Sequence, residues 1–210
     1  MSFSDAFKRP FQDFKTLIIG IVIMLIPIVN FIGIGYLLKC ASSGIRRDYR
    51  MPKWEGWLDL FVKGIVATVI SIIYMIPAIV IILLVGMSAW SNLSGMMGTG
   101  LNMAAVMSLL GTAAPGLLVG LIVCLIGLFI GSAAIVRYVE KGTFAAAFEL
   151  GAIVKKAFTG TFFAAWFVGG IYWIILTAIL GMIPWIGSAI ATFIGGVTWI
   201  TLIAEAYGKA

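Results

Sequence analysis

The chain has 210 residues, 62% of them hydrophobic and 10% charged, with a mean hydropathy of +1.16, 14 Lys and Arg against 8 Asp and Glu, and no histidine. This composition excludes an ordinary soluble domain, and apolar runs such as Ile65 to Val85, which lack period-two alternation, exclude a transmembrane β-barrel in favour of an all-α integral membrane protein. The missing imidazole excludes zinc hydrolysis and His-activated nucleophiles. The net charge of +6 comes with no nucleic-acid motif, so the partners it implies are anionic lipid headgroups rather than nucleic acid.

Residues 16–38, 64–136 and 157–204 contain no charged residue at all. A bilayer core takes roughly 20 apolar residues per helical crossing, and a charge at its centre costs at least about 2.5 kcal/mol. These stretches are therefore the predicted membrane segments. The clusters between them each hold more basic than acidic residues, which places all three on the cytoplasmic side of a cell membrane. Each apolar stretch then crosses an even number of times. The expected architecture is one membrane domain, 1–210, with about six membrane helices in three hairpins, a cytoplasmic N-terminus and, on the weaker evidence of Glu205 and Lys209, a cytoplasmic C-terminus.

Asp5 and Asp13 interrupt the N-terminal segment and no small-residue cleavage site follows, so it is expected to be retained rather than cleaved. Residues 11–45 form the first predicted hairpin, with arms Phe11 to Ile26 and Phe31 to Ile45 around Pro27 and Asn30, and with Gly33 as a further interruption. Each arm is only about 22 Å long at 1.5 Å per residue, so a re-entrant hairpin and two true spans are both open. Residues 46–57 form a basic, Trp-containing interfacial segment. Arg46, Arg47, Arg50 and Lys53 are its headgroup-binding candidates, and Trp54 and Trp57 its interfacial anchors.

Residues 58–138 make the second hairpin, in which the Gly-, Ser- and Met-rich stretch 87–114 reads as an external loop with a short interfacial helix around Asn102 to Leu110. Pro77 is a break or pore-lining candidate within the first arm, while the second arm starts near Pro115. Residues 139–156 read as a cytoplasmic amphipathic segment. Phe144 and Phe148 are its anchors, and Lys155 and Lys156, with Arg137 just before it, are further headgroup candidates. The third hairpin, 157–207, turns at Pro184 and Gly187 with Trp185 as an anchor, and Met182-Ile183-Pro184 resembles Leu25-Ile26-Pro27.

Arg50, Trp57, Phe61 and Gly64 match Arg137, Phe144, Phe148 and Gly151 at a constant offset of 87. The spacing predicts either a parallel internal repeat or two helices that meet the same interfacial demands independently. Cys40 and Cys124 lack C-x-x-C spacing and are expected to be packing residues.

Residues 22–64 hold Leu25-Ile26-Pro27-Ile28-Val29-Asn30-Phe31, Gly35-Tyr36-Leu37, Arg46-Arg47 and Met51-Pro52-Lys53-Trp54-Glu55-Gly56-Trp57, followed by Leu60-Phe61 and Gly64. With the later Arg137-Tyr138, Ala147-Phe148 and Ala206-Tyr207-Gly208, this resembles the largely archaeal membrane family catalogued as domain of unknown function four thousand and thirteen. The resemblance implies a multi-pass membrane protein and brings no catalytic residue, metal or cofactor with it.

The charge-free spans leave proton coupling through buried carboxylates without a carrier. Gly95 to Gly100 lacks the Lys-Ser/Thr of a phosphate loop. The expected role is a non-catalytic structural, assembly or accessory component that self-associates or joins a larger membrane complex. An oligomeric channel or small-solute transporter, with Pro27, Asn30 and Gly33 as polar lining, is the alternative. Headgroup binding or chemistry around Arg46 to Asp59 is a third.

Overall fold

The computed structural model describes residues 3–97 and 103–210, and all regular structure among them is helical. The elements are α1 (Phe3–Lys8), α2 (Phe14–Leu25), α3 (Asn30–Ile45), α4 (Trp57–Met97), α5 (Met103–Lys141), α6 (Leu150–Ala157), α7 (Gly160–Leu180) and α8 (Ile186–Lys209), with 3-10 turns at Arg9–Phe11 and Phe144–Phe148. By length and composition, α4, α5, α7 and α8 can cross a membrane. Where one domain was expected, the chain forms two compact units, Met1–Ile70 with Ser132–Ala210, and Ser71–Gly131.

The second unit is an antiparallel pair of helices joined along small residues. Gly120 meets Ile82, and a Cβ on Gly127 would lie 2.7 Å from the Tyr74 carbonyl oxygen. The outer faces, Leu83 and Leu118 among them, expose aliphatic side chains as lipid contact requires. Two expectations fail here. Residues 87–97 and 103–114 are helix rather than loop. The Ser88, Ser91 and Ser94 hydroxyls donate to the carbonyls of Val85, Ser88 and Ser91 at 2.8–2.9 Å, so serine satisfies itself on the helix it was expected to end. Asn102 lies outside the described residues. Pro77 and Pro115 likewise sit inside continuous helices and break neither, as membrane helices allow.

The first unit is built around α8, which packs against α1, α2, α3 and α7 and buries nearly all of its length from Phe193 to Tyr207. α7 and α8 run antiparallel, with Gly169 against Trp199, Gly195 against Trp173, and the Trp199 indole N–H donating to the Trp166 carbonyl at 3.3 Å. α3 and α8 run parallel, with Tyr36 on Phe193, Leu37 on Gly196, and Gly44 on Thr201 and Ala204. The Asp13 side chain caps α2, accepting from the Thr16 amide at 3.2 Å and its hydroxyl at 2.8 Å, worth about 1 kcal/mol.

α3 also crosses the start of α4 backbone to backbone, Gly35 against Leu60 and Gly64 against Phe31. Gly33, expected as a break, lies inside α3 against Met24. Gly151, the repeat partner of Gly64, has nothing within 4 Å of a Cβ position. This matched pair therefore plays unmatched roles.

Candidate functional site

The polar residues of the first unit gather at the end where α8 finishes, and Arg9 is at their centre. Its side chain is completely buried. One guanidinium nitrogen donates to the Cys40 carbonyl at 3.0 Å and to the Thr201 hydroxyl at 2.7 Å. The other donates to the Ser43 hydroxyl and, at 3.0 Å, to the Arg50 carbonyl. All four acceptors are uncharged. Bonds from a charged donor contribute about 1.5–3 kcal/mol each, which offsets the cost of taking the guanidinium out of water. Arg9 thereby ties the N-terminus to α3, to α8 and to the segment after α3. Nothing in the residue order separates it from the exposed Lys8 beside it.

That segment folds back over α3. Tyr36 stacks on Trp54, and its hydroxyl donates to the Pro52 carbonyl at 2.7 Å. Trp54 also faces Trp57 and Phe193. Trp54, expected as an interfacial anchor, is half-buried, its ring covering the flat apolar platform of Tyr36 and Phe193. Trp57, Phe144, Phe148 and Trp185 do lie exposed.

Beside Arg9, the Tyr49 hydroxyl donates to buried Glu205 at 2.7 Å, and Lys209 donates to the same carboxylate at 2.6 Å. Burial and this acceptor push the Tyr49 phenol up to about 12. Asp48 accepts from the Arg50 amide at 3.1 Å and its side chain at 3.2 Å, which holds its carboxyl below the ordinary value.

The basic candidates divide into two sets. Arg46 and Arg50 line an open cleft of about 400 Å³ with Lys39, Ser42 and Asp48. Lys39 and Ser42 also line an adjoining cleft of about 180 Å³ with Lys63 and Tyr138. Lys39 donates to the carbonyls of Lys53 and Glu55 at 3.0 Å, and Lys63 pairs with Asp59 at 2.7 Å. Arg47 and Lys53 are exposed, and Arg47 has a positive φ of 58°.

Arg137 and Lys156 belong instead to a salt-bridge network within the chain. Arg137 bridges Glu140 at 2.8 Å and Glu149, while Lys156 reaches Glu140 at 3.3 Å and lies 4.6 Å above the Tyr207 ring. This leaves Lys155 exposed on α6, while Arg137 and Lys156 are half-exposed and engaged by Glu140 and Glu149 in a surface salt-bridge network. Pro27 and Pro184 occupy the two turns, Asn30 begins α3, and Gly187 lies in the first turn of α8 under the Leu180 carbonyl. Among the described residues there is no group of three His, Cys, Asp or Glu side chains that could hold a metal.

Residues 18–204 match the model of the family described as "Protein of unknown function (DUF4013)". No curated protein and no solved structure matches the chain. The matched region runs from the first turns of α2 to the buried end of α8 and includes the Tyr36–Trp54 clasp and the Gly35–Gly64 crossing, and the chain belongs to this family of unknown function.

Proposed function

We propose that the chain is a non-catalytic structural, assembly or accessory component of the cell membrane that associates with itself or with a larger complex. In this reading its three helical hairpins share a cytoplasmic face formed by the charged end of the first unit, with both termini there. The observation that carries it is the way that end is occupied by its own partners. Arg9 is spent on four neutral acceptors, and Arg137 and Lys156 on Glu140 and Glu149. Such a network holds helices in register, which supports a structural reading of that end.

Native mass spectrometry of the chain extracted in mild detergent tests this. A homo-oligomer or a co-purified partner is expected, and a lone monomer that stays alone in lipid nanodiscs counts against it. The channel reading draws no support from Gly33, which is packed on Met24. Headgroup binding has one observation in its favour, the cleft that Arg46 and Arg50 share with Lys39. Arg46→Ala with Arg50→Ala is then expected to weaken capture of phosphatidylglycerol vesicles, and unchanged capture removes that reading.

A further inference from the structure

We propose that the two proline turns of the first unit, Ile26 to Val29 and Ile183 to Ile186, are paired anchors lying in the acyl chains of a single leaflet. On this account α2–α3 and α7–α8 enter the bilayer from the charged side and return to it without crossing.

The turns share a proline, a positive φ and two backbone bonds at matched positions, and the second adds a bond from the Ile186 amide to the Pro184 carbonyl at 2.7 Å. Ile28 and Trp185, each directly after the proline, adopt φ values of 71° and 65°. The Asn30 amide donates to the Ile26 carbonyl at 3.0 Å and the Gly187 amide to the Ile183 carbonyl at 3.1 Å. The amides of Ile26 and Ile183 donate to Ile23 and Leu180 at 3.3 and 2.9 Å. All these pairs are 157 positions apart, and so are Tyr36 and Phe193, which stack where α3 and α8 run in parallel. The offset that relates the turns thus also relates the helices leaving them, and the two tips lie level.

Their chemistry fits hydrocarbon. A left-handed conformation in water is usually served by Gly or Asn, whereas a β-branched residue there is strained. Here an isoleucine and a tryptophan take that conformation, 69% and 86% exposed, beside Met182 at 84%. Proline removes one amide from each turn, and the bonds above satisfy those of Ile26, Asn30, Ile183 and Gly187, which reduces the polar backbone that meets lipid.

The charges set the depth. Lys39 is eleven residues from Ile28, about 16 Å of helix, against a hydrocarbon core of about 30 Å. Tips at the far headgroups would leave Lys39, about 16 Å of helix below them, near the bilayer centre, where charge is costly. α8 is long enough to cross, yet its register sets Gly196 beside Leu37. Beyond Gly196 it descends into the polar end, where Thr201 meets Arg9 and Glu205 meets Tyr49. Only Ile186 to Gly196, about 16 Å, remains above.

The test uses the full chain with Cys40→Ala and Cys124→Ala, carrying bimane on Ile28→Cys or Met182→Cys, in phosphatidylcholine–phosphatidylglycerol vesicles with brominated lipid exchanged into the outer leaflet alone. An impermeant maleimide at Thr143→Cys reports which way each preparation faces. Expected at both tips is quenching several-fold stronger when the brominated leaflet is on the Thr143 side. Stronger quenching from the opposite leaflet overturns the proposal, as does labelling of either tip by the impermeant reagent. Absence of quenching from both leaflets means that protein, such as a second copy, covers the tips, and overturns it equally. Should a variant fail to fold, Leu25→Cys and Ile183→Cys report the same two turns.

Discussion

Gly64 on α4 packs against the backbone of Phe31 on α3, so closely that a Cβ there would collide with the Phe31 carbonyl and lie 3.1 Å from the Gly35 amide nitrogen. Neither obstacle is a flexible side chain. Gly64→Val and Gly35→Val are therefore expected to force the helices apart and to cost at least about 3 kcal/mol, in the range of severe overpacking. Gly151→Ala, at the matched position of the 87-residue spacing, is expected to stabilise by about 0.5–1 kcal/mol, since it is inside α6 with open space around it. Thermal unfolding in detergent distinguishes these outcomes. Equal effects at Gly64 and Gly151 would favour the repeat.

Arg9 and Lys8 are adjacent, equal in charge and different in everything else. Replacing Arg9 with Ala removes the donor to the Arg50 carbonyl and to the Thr201 and Ser43 hydroxyls, and leaves the Cys40 carbonyl with the Ser43 hydroxyl alone among side-chain donors. A loss of about 2–4 kcal/mol is expected, as for breaking a buried network of charged hydrogen bonds. Lys8→Ala is expected to stay within about 0.5 kcal/mol, as an exposed charge does. Urea titration of both variants checks this, and a small effect at Arg9 would mean that water replaces the guanidinium.

The Tyr36–Trp54 clasp falls in the most specific part of the family resemblance and folds the segment 51–56 back over α3. Trp54→Ala removes a half-buried ring 3.9 Å from Tyr36 and opens the segment 51–56, at an expected cost of about 1–3 kcal/mol. Tyr36→Phe keeps the stack and loses only the bond to Pro52, at about 1 kcal/mol. Limited proteolysis after Lys53 offers an independent readout, since cleavage is expected to accelerate in Trp54→Ala and not in Tyr36→Phe.

Residue chemistry made some of this legible in the sequence and hid the rest. Pro27 and Pro184 mark their turns because proline ends a helix locally, and α3 ends at Ile45 as expected. The helical 87–97 was hidden because Ser and Gly favour loops in water, while in a membrane helix Ser88 and Ser91 bond back to the turn before. Arg9 and Trp54 were hidden for a different reason. Their roles depend on Thr201, Cys40 and Phe193, partners far off in sequence that only tertiary packing brings together. Counting charges could place Arg137 and Lys156 near a surface, but not show that Glu140 and Glu149 had already engaged them.

Tyr49 offers the most direct test of the polar end in solution. Its phenol is pushed up to about 12 by burial and by the bond to Glu205, against an ordinary value near 10. A group whose value is raised in the folded state contributes stability that is complete below the unfolded value and lost as pH rises through the folded one. Deprotonation would also place a phenolate against the Glu205 carboxylate. The protein is thus expected to lose stability between about pH 10 and pH 12, where Tyr49→Phe loses less. Other tyrosines and the lysines titrate in the same interval, so the informative quantity is the difference in Tm between the two proteins at each pH. It is expected to favour the wild type at pH 8 and to shrink steadily above pH 10. A difference that stays constant to pH 12 would mean that Tyr49 does not hold Glu205 in the folded chain.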